Sequence, residues 1–228
     1  MRRRRGAPRT PRLLVTGFGP FPGMPENPTS RLLDALAADP PAGVTARLLP
    51  THWSVVAELA AEARMADAVI MFGVAGNARR IRYERVAVPL AASRPDATGA
   101  SPCAPPLRSH RTALPVAALA VQARAAGYPV AISHSAGTYV CNAAYAAVLS
   151  TNPAALFVHV PPTTRRGPLS AAGLERHARW LIAALTRRRP QRATPARPAP
   201  LAGSGGRDAR LVGGVLAPAA HHVEEVGR

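Results

Sequence analysis

Short apolar runs and longer helical patterns take turns along most of this chain. Runs at Arg12–Thr16, Val44–Leu49, Ala68–Phe72, Tyr128–Ile132 and Ala154–Val160 have strand length. Ala68–Phe72 is almost continuously apolar, as a parallel strand covered on both faces requires. Ile81–Leu90 instead alternates apolar and polar residues. Between these runs the apolar spacing becomes helical. Leu32, Leu33 and Leu36 follow a cap at Thr29 or Ser30, and Val55, Leu59 and Ala63 share a face within Ser54–Arg64. Pro115–Ala126 is closed by Gly127, Val140, Ala144, Ala147 and Val148 mark a fourth helix, and Ser170–Thr186 carries a fifth. Gly- and Pro-rich stretches at Gly17–Pro28 and Ser93–Pro106 read as loops. Strands alternating with helices predict an α/β fold: a three-layer sandwich with a mostly parallel twisted sheet and helices on both faces.

Composition changes this picture at the ends. The chain has 228 residues and a net charge of +17, and all 29 of its basic residues are arginine. Six arginines crowd Met1–Arg12 without an acid, and seven lie in Arg187–Arg210 against the single Asp208. Residues 1–11 are therefore expected to be a basic N-terminal arm, 12–186 one α/β domain, and 187–228 an Arg/Pro/Gly-rich tail, disordered or loosely attached. Such ends attract polyanions without selectivity. They lack interleaved aromatics and any nucleic-acid motif, so no specific nucleic-acid partner is expected. No apolar run approaches the roughly 20 residues of a membrane span, and no membrane partner is expected. The apolar stretch after Arg2–Arg5 is broken by Gly17, Gly19, Pro20 and Pro22, unlike a signal peptide. Two cysteines, Cys103 and Cys141, form no CxxC pair and no metal-ligand spacing, so neither metal nor other cofactor is expected. A reducing cytoplasm suits them.

Cys141 is the first candidate for chemistry. It lies near the start of the fourth helix, where unpaired N–H groups and the macrodipole favour a thiolate. Position alone fits equally well a small buried residue at a strand–helix junction. His159, near the end of a buried strand, is the best candidate base; Glu84 could orient it, or could pair with its neighbours Arg82 and Arg85. Cysteine, histidine and carboxylate would then lie at strand ends, where open α/β sheets place their sites.

Five segments, in order, resemble one family. LVTGFGPF at Leu14–Phe21, ENPTS at Glu26–Ser30, ERVAV at Glu84–Val88, SAGTYVCN at Ser135–Asn142 and FVHVP at Phe157–Pro161 are similar to pyroglutamyl peptidase I, or pyrrolidone carboxyl peptidase. The resemblance implies a cysteine exopeptidase that acts on peptides with an N-terminal pyroglutamate. It implies Cys141 as nucleophile, His159 as base, Glu84 as orienter, substrate contacts from Phe18, Phe21, Val74 and Val140, and a homo-oligomer. Two turns depart from the family: Val74 and Asn77 alter the turn after Gly73, and Ser93 and Ala97 stand where the family often has arginine and asparagine. These departures keep two alternatives open. One is a cysteine amidase on another small lactam or amide. The other is a degenerate non-catalytic member whose arginine tails bind polyanions.

Overall fold

A computed structural model describes residues 10–90, 94–102 and 108–187. Residues 1–9 of the basic arm, Ser93, Cys103 and the tail beyond Arg187 lie outside the described residues. Eight strands and five helices follow one another in these segments. They are β1 (Leu13–Phe18), α1 (Pro28–Ala38), β2 (Val44–Leu49), α2 (Val55–Ala63), β3 (Ala68–Val74), β4 (Ile81–Glu84), β5 (Val86–Ala87), β6 (His110–Arg111), α3 (Val116–Ala125), β7 (Val130–Ser133), α4 (Val140–Thr151), β8 (Ala155–Val160) and α5 (Ala171–Arg187).

The main sheet has the order β2-β1-β3-β8-β4-β7. Side chains alternate across it with period two. Ile70, Phe72, Leu156 and Val158 enter one core with residues of α1, α3 and α5, while Val69, Met71, Ala155 and Phe157 enter the other with α2 and α4. The three layers of the sequence reading are all present. The sheet is mostly parallel, as expected, with one reversal. β1, β2, β3 and β8 run parallel, but β4 is antiparallel to β8, and β7 follows β4. Glu84 therefore ends a reversed strand. An alternating pattern shows that Ile81–Glu84 extends but carries no sign of its direction.

Two details adjust the helix starts. Asn27 caps α1 by accepting from the Thr29 amide, with Pro28 at the first helical position, so the cap lies before Thr29 and Ser30. Ser54 holds the N-cap position of α2 without a side-chain bond. At the end of α3, Gly127 takes a φ of 87°, a left-handed conformation that glycine adopts without strain. α4 is buried almost all round, on Val140, Ala144 and Val148 but also on Ala143, Tyr145 and Ala146, because it lies among the sheet face and α2. Its alanines allow that close approach.

β1 connects outward to β2 through α1, and β2 returns to β3 through α2 on the opposite face. The strand order thus switches between β1 and β3. Loops diverge at such a point and leave a crevice beyond the strand ends.

Candidate active site

β8 and β4 bring the first two groups together. In their antiparallel register His159 faces Arg82 and Phe157 faces Glu84, so these four side chains share one face, the face that α4 covers. Glu84 and His159 are diagonal neighbours, within reach of long side chains. His159 Nδ1 donates to Glu84 Oε1 at 2.9 Å. Glu84 is fully buried, His159 nearly so, and the imidazole leans on Phe157 with centroids 4.6 Å apart. The Tyr145 hydroxyl donates to the Glu84 carbonyl oxygen at 3.0 Å, which ties this strand end to α4. With Nδ1 committed to the carboxylate, Nε2 is the ring nitrogen free to take a proton. Glu84 therefore partners His159 rather than Arg82 or Arg85.

Cys141 comes from above. It is the second residue of α4 and is half-buried against the same core as Phe157. Gly73 lies beside His159 in the parallel β3–β8 register. A β carbon at Gly73 would stand 2.7 Å from Phe157 Cζ and 3.2 Å from Cys141 Sγ. Glycine at this position leaves the space that the sulfur occupies beside Gly73. Burial pushes the Cys141 thiol up to about 12; its own backbone amide and Arg94 pull it back, and Glu84 adds to the rise. Desolvation thus opposes the pull of the helix start toward a thiolate.

Both Cys141 and His159 line a cavity of about 440 Å³. Phe18, Phe21 and Val74 line it too, where the sequence reading put substrate contacts. Phe18 serves the core as well, buried and stacked on Phe157 at 6.4 Å, whereas Phe21 stands on a half-exposed turn tilted against Tyr139. Val140 is different. Its side chain is fully buried in the core with α2, and Tyr139 and Cys141, on either side of it, line the cavity instead. Adjacent residues of a helix point about 100° apart, and the phase of α4 turns Val140 into the core.

Several contributors were not singled out from the sequence. Asn142 accepts from the Val88 amide and donates to the carbonyls of Val88 and Leu90, all at 2.9 Å, which fastens the segment after β5 to α4. Arg94 and Arg82 line the cavity, and the Arg94 guanidinium lies 4.1 Å from the centre of the Tyr139 ring. Asp96 accepts from the amides of Trp53, Thr98 and Ala100 and from the Thr98 hydroxyl, and the hydroxyl bond leads in holding its carboxyl down near 2. Asn142 was in view within SAGTYVCN, but its role needs the fold. Arg94 follows the altered position Ser93, and no periodicity marks it.

The profile of the pyroglutamyl peptidase family matches residues 11–163, a span that contains Cys141, His159 and Glu84. This chain belongs to that family. Among relatives of the family, the pyrrolidone-carboxylate peptidase of Streptomyces coelicolor is 37% identical over 142 residues, which is 58% of this chain and 66% of that protein. The corresponding protein of Thermococcus onnurineus is 36% identical over 169 residues, 66% of this chain and 83% of its own. In three dimensions the chain is similar to pyrrolidone carboxyl peptidase from Thermus thermophilus, with a TM-score of 0.63 and 28% identity over 75% of this chain and 98% of that one. Pyroglutamyl peptidase I of Bacillus amyloliquefaciens gives 0.62 and 29%, over 77% and 96%. Neither the amidase nor the non-catalytic alternative gains support from these relatives.

Proposed function

We propose that this chain hydrolyses the amide bond after an N-terminal pyroglutamyl residue, with Cys141 as nucleophile, His159 as acid and base, and Glu84 as its orienter. The observation that carries the reading is the buried His159–Glu84 pair, which meets Cys141 on one cavity. Burial pushes the thiol up, so in this reading the nucleophile forms during attack. Sγ bonds to the scissile carbonyl carbon while its proton passes to His159 Nε2. Glu84 holds the ring in the correct tautomer and balances the imidazolium. His159 then protonates the departing amine as the C–N bond breaks, leaving a thioester. Water attacks the thioester, His159 takes its proton, and the sulfur leaves and recovers a proton. The products are pyroglutamate and a peptide one residue shorter.

The oxyanion is received at the head of α4. The first amides to close on the Tyr139 carbonyl are those of Asn142 and Ala143, so the Val140 and Cys141 amides precede the helical ladder. Donors fixed beforehand at such a place supply a large share of rate enhancement. Pyroglutamate is a neutral flat lactam, and Phe18, Phe21 and Val74 give it apolar walls.

The catalytic unit in this reading is residues 12–186. No helix among the described residues is long and apolar enough to cross a membrane. A cytoplasmic site and a homo-oligomer complete the proposal, the first because a free thiol nucleophile persists in reducing surroundings. The direct test is release of a chromogenic amine from its pyroglutamyl amide beside the prolyl amide. Turnover of the first alone supports the reading; equal turnover of both, or of neither, contradicts it.

A further inference from the structure

Arg94 lines both this cavity and a second one. That second hollow, about 370 Å³, is bounded by the loop of residues 94–99 and by Pro22, and it shares Arg94 and Tyr139 with the first. The guanidinium lies against the Tyr139 ring, and the Tyr139 hydroxyl donates to the Pro95 carbonyl oxygen at 2.9 Å, so ring and loop hold one another. The carboxylate nearest in sequence, Asp96, has its oxygens engaged by four donors of its own loop and of Trp53. Among the described residues no carboxylate forms an ion pair with Arg94. Arg82, on the other cavity's wall, likewise has none. The boundary shared by the two hollows therefore carries a guanidinium that rests on an aromatic ring and that no carboxylate among the described residues neutralises.

A pyroglutamyl group is uncharged and has no need of a cation. The rest of the peptide, on the leaving side of the scissile bond, must extend out of the first cavity. The geometry points to the second hollow as the leaving-side subsite, with Arg94 binding a carboxylate of the departing peptide. This inference rests on the hydrolase reading above. A guanidinium matches a carboxylate in bidentate fashion, and a planar group already stacked on an aromatic ring loses little freedom on binding. The carboxylate has two sources: an acidic side chain on the residue after pyroglutamate, or the free C-terminus of a dipeptide.

The test uses two matched pairs of substrates on the full chain. Pyroglutamyl-glutamate amide is compared with pyroglutamyl-glutamine amide, and pyroglutamyl-alanine with its C-terminal amide. Wild type should favour the charged member of at least one pair by about tenfold in kcat/KM at low salt, and the favoured pair identifies the source. Arg94→Gln should bring that ratio close to one, and Arg94→Lys should keep part of it. Arg94 also influences the Cys141 thiol, but a change there alters both members of a pair equally and leaves the ratio alone. Turnover of the neutral peptides with no charge preference, or a preference that survives Arg94→Gln, overturns the role of Arg94 alone. No turnover of any of the four peptides overturns the hydrolase reading, and this subsite with it.

Discussion

Two buried histidines lie on opposite faces of one sheet, and adjacent residues of β4 hold them. Glu84 accepts from His159 on the α4 face; Tyr83 shares a 2.8 Å hydrogen bond with His177 Nε2 on the α5 face. His177 is fully buried amid Tyr83, Tyr128 and Trp180, its Nδ1 has no hydrogen-bond partner, and desolvation pushes its pKa down to about 3. His159 has a carboxylate to balance its charge and a cavity at its edge. Burial is common to both. What separates a proton carrier from a core residue here is a buried counter-charge together with an opening.

The largest contrast should come from deleting each ring. His159→Ala should cost about 10²–10⁴-fold in kcat, the usual worth of a positioned general base, and should lower Tm as well, because it leaves the Glu84 carboxylate buried without a partner. His177→Ala should leave kcat within a few fold but lose about 2–4 kcal/mol of stability, through a cavity and an unpartnered Tyr83 hydroxyl. Steady-state rates and urea unfolding on the same samples read both. A catalytic loss at His177 matching that at His159 would erase the distinction.

Gly73→Ala sharpens the α4 side. The added methyl would meet the Phe157 ring and the sulfur at 2.7 and 3.2 Å, so either the ring or Cys141 must move. A stability loss of about 1–3 kcal/mol is expected, accompanied by a fall in kcat from the displaced sulfur. An unchanged kcat would show that the sulfur's place beside Gly73 is immaterial.

Effects of pH are smaller but carry a clear sign. A folded pKa of about 3 against an ordinary 6.5 means that His177 contributes nothing above pH 6.5. As pH falls from 6.5 to 3 the unfolded chain takes up a proton that the folded chain refuses, so stability declines. His177→Gln keeps a partner for Tyr83 and should flatten that decline by up to ~1.4 kcal/mol per pH unit. On the other face, a thiol pushed up to about 12 predicts that alkylation of Cys141 still accelerates at about pH 10. A plateau near neutrality would indicate a preformed thiolate.

Much of this contrast can be read along the chain, and the remainder could not be. β2 falls on the expected Val44–Leu49 although this edge strand is largely part-exposed, and β8 begins one residue inside its run, because a buried strand leaves a dense local signature. Cys141, His159 and Glu84 stood out through short motifs that survive in order. The reversal of β4 against β8 is a pairing between distant segments, and alternation within Ile81–Glu84 is the same for either direction. The two-residue β6 was not predicted, since so short a strand leaves no period. Val140 shares a motif with Cys141 but faces the core, a matter of helix phase. The thiol's environment is half legible: the helix start is visible in sequence, while the burial that opposes it is not. His177 was recognised only as a helical residue, and its aromatic cage draws on β4 and the segment before β7.

The central claim is that His159 and Glu84 act as one device on Cys141. It is tested most directly by kcat on a chromogenic pyroglutamyl amide for His159→Ala, Glu84→Gln and the double variant. Glu84→Gln alone should lose less than His159→Ala, because a poorly oriented imidazole still accepts protons. In the double variant, removing the orienter of an absent ring should add nothing, so its kcat should match that of His159→Ala within about threefold. A double variant slowed by the product of the two single losses would mean that the residues act independently, and the relay described here would be contradicted.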